Sequence, residues 1–103
     1  MTQLTVTNFE TETNRYESVV VMFYAGWCSK CAIMKPMAER IEKKHEKEIK
    51  LFLVDIDKES ELARRYKVDM VPTFLMIKAG EVEGVMSGMI SEKTFERRIT
   101  HIV

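Results

Sequence analysis

The chain's only two cysteines, Cys28 and Cys31, stand three residues apart in the stretch WCSKC. On a helix that spacing puts both thiols on one face, within reach of each other. Such a pair either holds a metal or cycles between dithiol and disulfide. A structural zinc site needs four ligands. There is no third cysteine, and His45 and His101 lie far along the chain. A zinc site would need two chains sharing their pairs, so no metal is expected. A Cys–His hydrolase dyad also lacks support, because both histidines are expected on helix surfaces. Thiol–disulfide exchange is the chemistry these residues favour.

The neighbouring residues say how the pair is positioned. Residues 19–25 (VVVMFYA) form an apolar run rich in strand formers, as expected of a central strand covered on both sides. The helical pattern that follows runs over residues 29–47. Cys31, Met34, Ala38, Ile41 and His45 recur at helical spacing, and Ile33 and Met37 broaden the apolar face. Pro36 lies inside and is expected to kink it. A strand end that meets a helix start leaves backbone N–H groups unpaired, with a partial positive charge. Cys28 sits at that boundary and should ionise more easily than a free thiol, whose pKa is about 8.5. Lys30 can add positive charge. Cys31, beside Ala32 and Met34, should be the more buried thiol. An exposed, activated cysteine backed by a shielded one is the asymmetry exchange requires: the first attacks a disulfide, and the second resolves the mixed disulfide.

The remaining elements frame that site. Residues 4–6 are a candidate first strand. Thr7 and Glu10 read as a capping box for a helix over residues 9–16. Residues 50–56 form a second buried strand, and residues 57–60 turn into a short helix ending at Tyr66. The mixed charges of residues 43–50 read as a solvated helix end. Pro72 cannot donate to a ladder, so it should open the next strand, residues 73–78. Ala79-Gly80 signals a tight turn into a strand over residues 81–87, and Gly88 ends it. Ser91 to Thr94 cap a last helix carrying Phe95, Ile99 and Ile102. The expected fold is α/β: one mixed sheet of four to five strands with helices on both faces, in a single domain over residues 1–103.

Composition narrows the function classes. The chain has 103 residues, 46% hydrophobic and 31% charged, with 16 basic against 16 acidic side chains. That balance suits one globular domain and gives no basic excess for nucleic acid. The longest unbroken apolar run, residues 19–25, is too short to span a bilayer. The start MTQLTVTN has no signal-peptide pattern. The expectation is therefore a cytoplasmic protein, or one whose leader has been removed, with neither nucleic acid nor membrane as partner. Gly80, Gly84 and Gly88 form no nucleotide fingerprint, so no bound organic cofactor is expected.

WCSKC after a buried strand, Pro36 five residues past Cys31, Val71-Pro72-Thr73, the Lys78 to Glu81 turn and Gly88 fall together where the thioredoxin family has its own landmarks. The chain resembles that family over nearly its whole length. The resemblance implies a protein-disulfide reductase with Cys28 as nucleophile and Cys31 as resolving thiol. It implies a cis Pro72 facing the pair, and a Val71 backbone that pairs with the substrate chain. It implies a shallow apolar groove of Trp27, Met70, Val71, Pro72, Gly88 and Met89. The methionines would otherwise read as ordinary core filling. It also implies a monomer acting on disulfide-containing proteins. The electron donor would be a flavoprotein like thioredoxin reductase, or a low-molecular-weight thiol. Two alternatives are a glutaredoxin-like reductase of small-thiol mixed disulfides and a binding module of the same fold with idle thiols.

The chain departs from the family's pattern in two places. Ser29 and Lys30 stand where thioredoxins typically carry Gly-Pro, a dipeptide that tunes the disulfide's stability. Met22 stands where they have a buried aspartate, and Leu53 where they often have a lysine. Removing one partner of a buried pair costs several kcal/mol, but removing both can be neutral. The expected consequence is slower attack by Cys31, which lacks a nearby base.

Overall fold

The computed structural model describes all residues, Met1–Val103. Its elements run β1 (Thr2–Gln3), α1 (Phe9–Arg15), β2 (Ser18–Tyr24), α2 (Ser29–Lys44), β3 (Lys50–Asp55), α3 (Ser60–Arg65), β4 (Thr73–Lys78), β5 (Glu81–Ser87) and α4 (Glu92–Ile99), with a closing 3-10 turn, Thr100–Ile102. The strands form one sheet in the order β1-β3-β2-β4-β5. β1, β3 and β2 are parallel, while β4 and β5 join antiparallel. This is the mixed α/β sheet read from the sequence.

β2 is the central strand because both its faces are apolar. Val20 and Met22 point to one core with Met34, Ile41, Phe95 and Ile99 of α2 and α4. Val19, Val21 and Phe23 point to the other, with Phe9 of α1 and Leu62 of α3. Alternate residues of a strand face opposite sides, so an unbroken apolar run is what a sheet covered on both faces demands. Phe74 and Phe95 meet edge-on with centroids 4.8 Å apart, tying α4 to β4. The β4–β5 turn takes Ala79 and Gly80 at φ of 49° and 82°. Two successive positive φ values give the sharp reversal a two-residue hairpin needs.

Four local expectations change. The first strand is Thr2–Gln3 rather than residues 4–6; Leu4 still donates its N–H to the Leu53 carbonyl, but its side chain is buried beneath the sheet. The capping box at Thr7 and Glu10 does not form. Instead Asn8 Oδ1 accepts the Thr5 N–H, and the Phe9 N–H donates to the Thr5 carbonyl, a tighter local turn. The long helix runs through Pro36 and ends at Lys44 rather than residue 47, with His45 as its cap. Ile33 is exposed, not part of the apolar face. At 100° per residue it stands about 200° round from Cys31, outside the arc of Met34, Ala38 and Ile41.

Candidate active site

Strand β2 ends at Tyr24, and the chain turns through Gly26 and Trp27 into α2. Cys28 is the N-cap of that helix, with extended backbone at φ −88° and ψ 109°. Its sulfur accepts the Cys31 backbone N–H at 3.1 Å. A thiol thus does what serine, threonine or aspartate usually does at this position, satisfying one of the helix's unpaired donors. The same geometry puts the sulfur at the positive end of the helix dipole, where negative charge is stabilised.

The second wall of the site is the segment before β4. The Val71–Pro72 peptide bond is cis. The Cys28 thiol lies 3.7 Å from the Val71 carbonyl and donates to it. Two side chains and one backbone bond brace this segment. Thr73 Oγ1 donates to the Met70 carbonyl at 2.7 Å, and it also pairs with Ser87 Oγ at 3.2 Å. The Gly88 N–H donates to the Pro72 carbonyl at 2.8 Å. Residues 70–72 and 88–89 are thereby held together on one side of Cys28.

Burial corrects one expectation. Cys28 is not the open thiol pictured from the sequence: it is 8% exposed, against 4% for Cys31. The Val71 carbonyl and the first turn of α2 cover it. The asymmetry between the two sulfurs lies in what surrounds each of them. Cys28 caps the helix. The Cys31 thiol is pushed up to about 11, first by burial and then by its hydrogen bond with Cys28. Both cysteines are free thiols here. Behind them lies a small cavity of about 160 Å³, lined by Met22, Tyr24, Cys31 and Lys35 among others. Larger concavities lie elsewhere, the largest about 430 Å³ between Arg15, Glu17, Lys47 and Lys78, and none of them holds a thiol.

The other residues singled out from the sequence fall round this centre. Trp27 is 71% exposed, Met70 49% and Met89 52%. Val71 and Gly88 are half-buried and Pro72 is buried. Ser29 and Lys30 are both exposed on the first turn of α2. Met22 and Leu53 are buried, and they are register partners in the β2–β3 ladder. His45 and His101 are remote from the thiols. His45 bonds Glu96 of α4 at 2.6 Å, and His101 is exposed in the terminal turn.

Sequence reasoning missed Asp57, whose Oδ2 accepts the Trp27 indole N–H at 2.9 Å. A usable signal existed. Parallel neighbours end at the same edge of a sheet, and Tyr24 is the register partner of Asp55. Residues just past each strand, Trp27 and Asp57, therefore meet. It also missed Lys35, which lines the cavity one helical turn beyond Cys31.

Comparison with known proteins places this geometry. The family model described as thioredoxin matches residues 1–101. Thioredoxin of Borreliella burgdorferi is 35% identical over 80 residues, covering 78% of this chain and 68% of that protein. Mitochondrial thioredoxin of Mus musculus is 36% identical over 90 residues, covering 87% of this chain and 54% of that protein. The chain thus spans about half the length of such mitochondrial relatives. The crystal structure of mitochondrial thioredoxin 3 from Saccharomyces cerevisiae, in its oxidised form, superposes with a TM-score of 0.90 at 26% identity, over 98% of this chain and 94% of that one.

Proposed function

The chain belongs to the thioredoxin family, and from that premise we propose that it is a thiol–disulfide oxidoreductase that reduces disulfide bonds in proteins. Cys28 as thiolate attacks one sulfur of a substrate disulfide. That S–S bond breaks, and the departing sulfur leaves as a thiolate that takes up a proton. Cys31 then gives up its proton and attacks Cys28 Sγ. The mixed disulfide breaks, the second substrate thiol leaves, and two electrons have passed to the substrate. The observation that carries this reading is the capping contact: Cys28 Sγ holds the helix N–H of Cys31 at 3.1 Å. The resolving residue is thereby fixed beside the sulfur it must attack.

The substrate chain docks across Trp27, Met70, Val71, Pro72, Gly88 and Met89, with Val71 offering its backbone. Support for this groove is the exposure of its large apolar side chains beside a shielded nucleophile. Ser29 and Lys30 set the stability of the resulting disulfide, since neither stiffens the turn as a proline would. The protein works as a monomer, re-reduced by a flavoprotein like thioredoxin reductase or by a low-molecular-weight thiol. We place it in the cytoplasm, where the thiol pool keeps such pairs reduced; no helix is long and apolar enough to cross a membrane.

The test is a pair of variants. Cys31→Ser should accumulate a covalent mixed disulfide with a protein substrate, visible as a mass adduct released by dithiothreitol. Cys28→Ser should form none and lose all reductase activity. Retention of protein-disulfide reduction by Cys28→Ser would sink the mechanism. Cellular function preserved when both cysteines are serine would favour a binding platform instead.

A further inference from the structure

The eight methionines divide sharply by position. Met22, Met34, Met37, Met76 and Met86 are each 6% exposed or less and share the core beneath α2 and α4, and Met1 is half-buried. Only Met70 and Met89 are largely open to solvent. These two flank the Val71–Pro72 segment that faces Cys28. Met70 is anchored by the Thr73 hydroxyl on its carbonyl, and Met89 follows the Gly88 N–H that is bonded to Pro72.

A thioether on a binding surface is useful because it is unbranched, polarizable and adapts to many partners. The same sulfur is oxidised wherever an oxidant can reach it, and the sulfoxide is polar. We propose that Met70 and Met89 are a peroxide-sensitive pair whose conversion to sulfoxides weakens the docking of protein substrates while leaving the dithiol chemistry intact. The proposal deepens the reductase reading and rests on it. Each event takes one peroxide: its O–O bond breaks, an S–O bond forms, the methionine sulfur loses two electrons, and water leaves. The buried methionines are spared because their sulfurs lie within the core. Peroxide also drives Cys28 and Cys31 to their disulfide, but any dithiol reverses that. Sulfoxides need dedicated reductases for reversal. The groove would therefore hold a record of oxidant after the thiols have recovered.

The experiment treats the disulfide form of the whole chain with graded hydrogen peroxide, removes it, reduces the protein with dithiothreitol and maps oxygen addition by peptide mass. Kinetics are then read on insulin disulfides and on a small aromatic disulfide, dithiodipyridine. The expected result is oxygen at Met70 and Met89 before any other methionine. KM for insulin should rise about tenfold, as expected when an apolar contact the size of one side chain is lost, with kcat unchanged. Turnover of dithiodipyridine should hold. The ratio of KM after and before peroxide should fall toward one in a Met70→Leu/Met89→Leu chain, whatever its own starting KM. Sulfoxides at both positions with an unchanged KM would overturn the proposal. So would oxidation of core methionines first, or equal sensitivity in the double leucine chain. A chain that fails to reduce insulin before any peroxide is added overturns the parent reading and this one with it; peroxide effects unlinked to these residues overturn this one alone.

Discussion

Met22 and Leu53 stand opposite each other in the parallel ladder of β2 and β3, both sealed from solvent. Met22 also lines the cavity it shares with Cys31. In the family's usual pattern the first position carries an aspartate and the second often a lysine. The paired change keeps the core free of unmatched charge, and it puts a thioether on the Cys31 cavity where the family's carboxylate would stand.

The first prediction restores that base. In Met22→Asp, burial raises the new carboxyl's pKa, making it a proton acceptor close to neutral pH. Single-turnover resolution of a mixed disulfide should speed up by about a hundredfold, the low side of general-base effects. The variant should also lose several kcal/mol of stability to an unpaired buried charge. Adding Leu53→Lys should return much of that stability in a double-mutant cycle. An unchanged resolution rate in the folded variant would show that Cys31 attack is not limited by its deprotonation.

The second prediction concerns pH. The folded Cys31 thiol is raised from its ordinary 9.0 to about 11, so between those values the folded chain binds a proton that the unfolded chain has released. Its contribution to stability is full below about pH 9 and is lost as pH climbs toward 11. Urea unfolding of the reduced protein across this window should show stability falling more steeply than in Cys31→Ser. Parallel pH dependences in the two chains would contradict the shielding of this thiol.

Much of this site was legible in the sequence because it depends on local rules. A continuous apolar run marks a doubly covered strand, Pro72 marks the start of β4, and Ala79-Gly80 marks the hairpin. Ser91 caps α4 as its type requires, accepting the Thr94 N–H at 3.2 Å. What escaped depends on contacts distant in sequence. Cys28 is shielded by a carbonyl 43 residues away, so no local pattern could report its burial. Ile33 escaped for a different reason: it lies one step outside the apolar arc, and hydrophobicity alone does not show on which side of that edge a residue falls. At the N-terminus, Thr7 and Glu10 had the right types for a capping box, but the chain turns at Thr5–Asn8 instead, where the Thr5 carbonyl accepts the Asn8 and Phe9 N–H groups and Asn8 takes the N-cap position.

The third prediction tests Trp27. Its ring is mostly in solvent, and the hydrogen bond to Asp57 holds its indole N–H. Asp57→Ala should free the ring, lowering its fluorescence anisotropy. KM for a protein disulfide should rise about fivefold, the worth of one hydrogen bond of roughly 1 kcal/mol. The rate with a small disulfide should not move. A loss confined to kcat would assign Asp57 to the proton transfers instead of to docking.

The central claim is that Cys28 and Cys31 form a reversible two-electron couple. It is tested most directly by equilibrating the protein in a graded series of thiol–disulfide buffers, alkylating it and counting free thiols by mass. The account predicts one transition from two free thiols to none, fitting a two-electron Nernst curve, with no singly alkylated species at the midpoint. A chain that keeps both thiols at every potential, or that stops at a mixed disulfide with the buffer thiol, would contradict it.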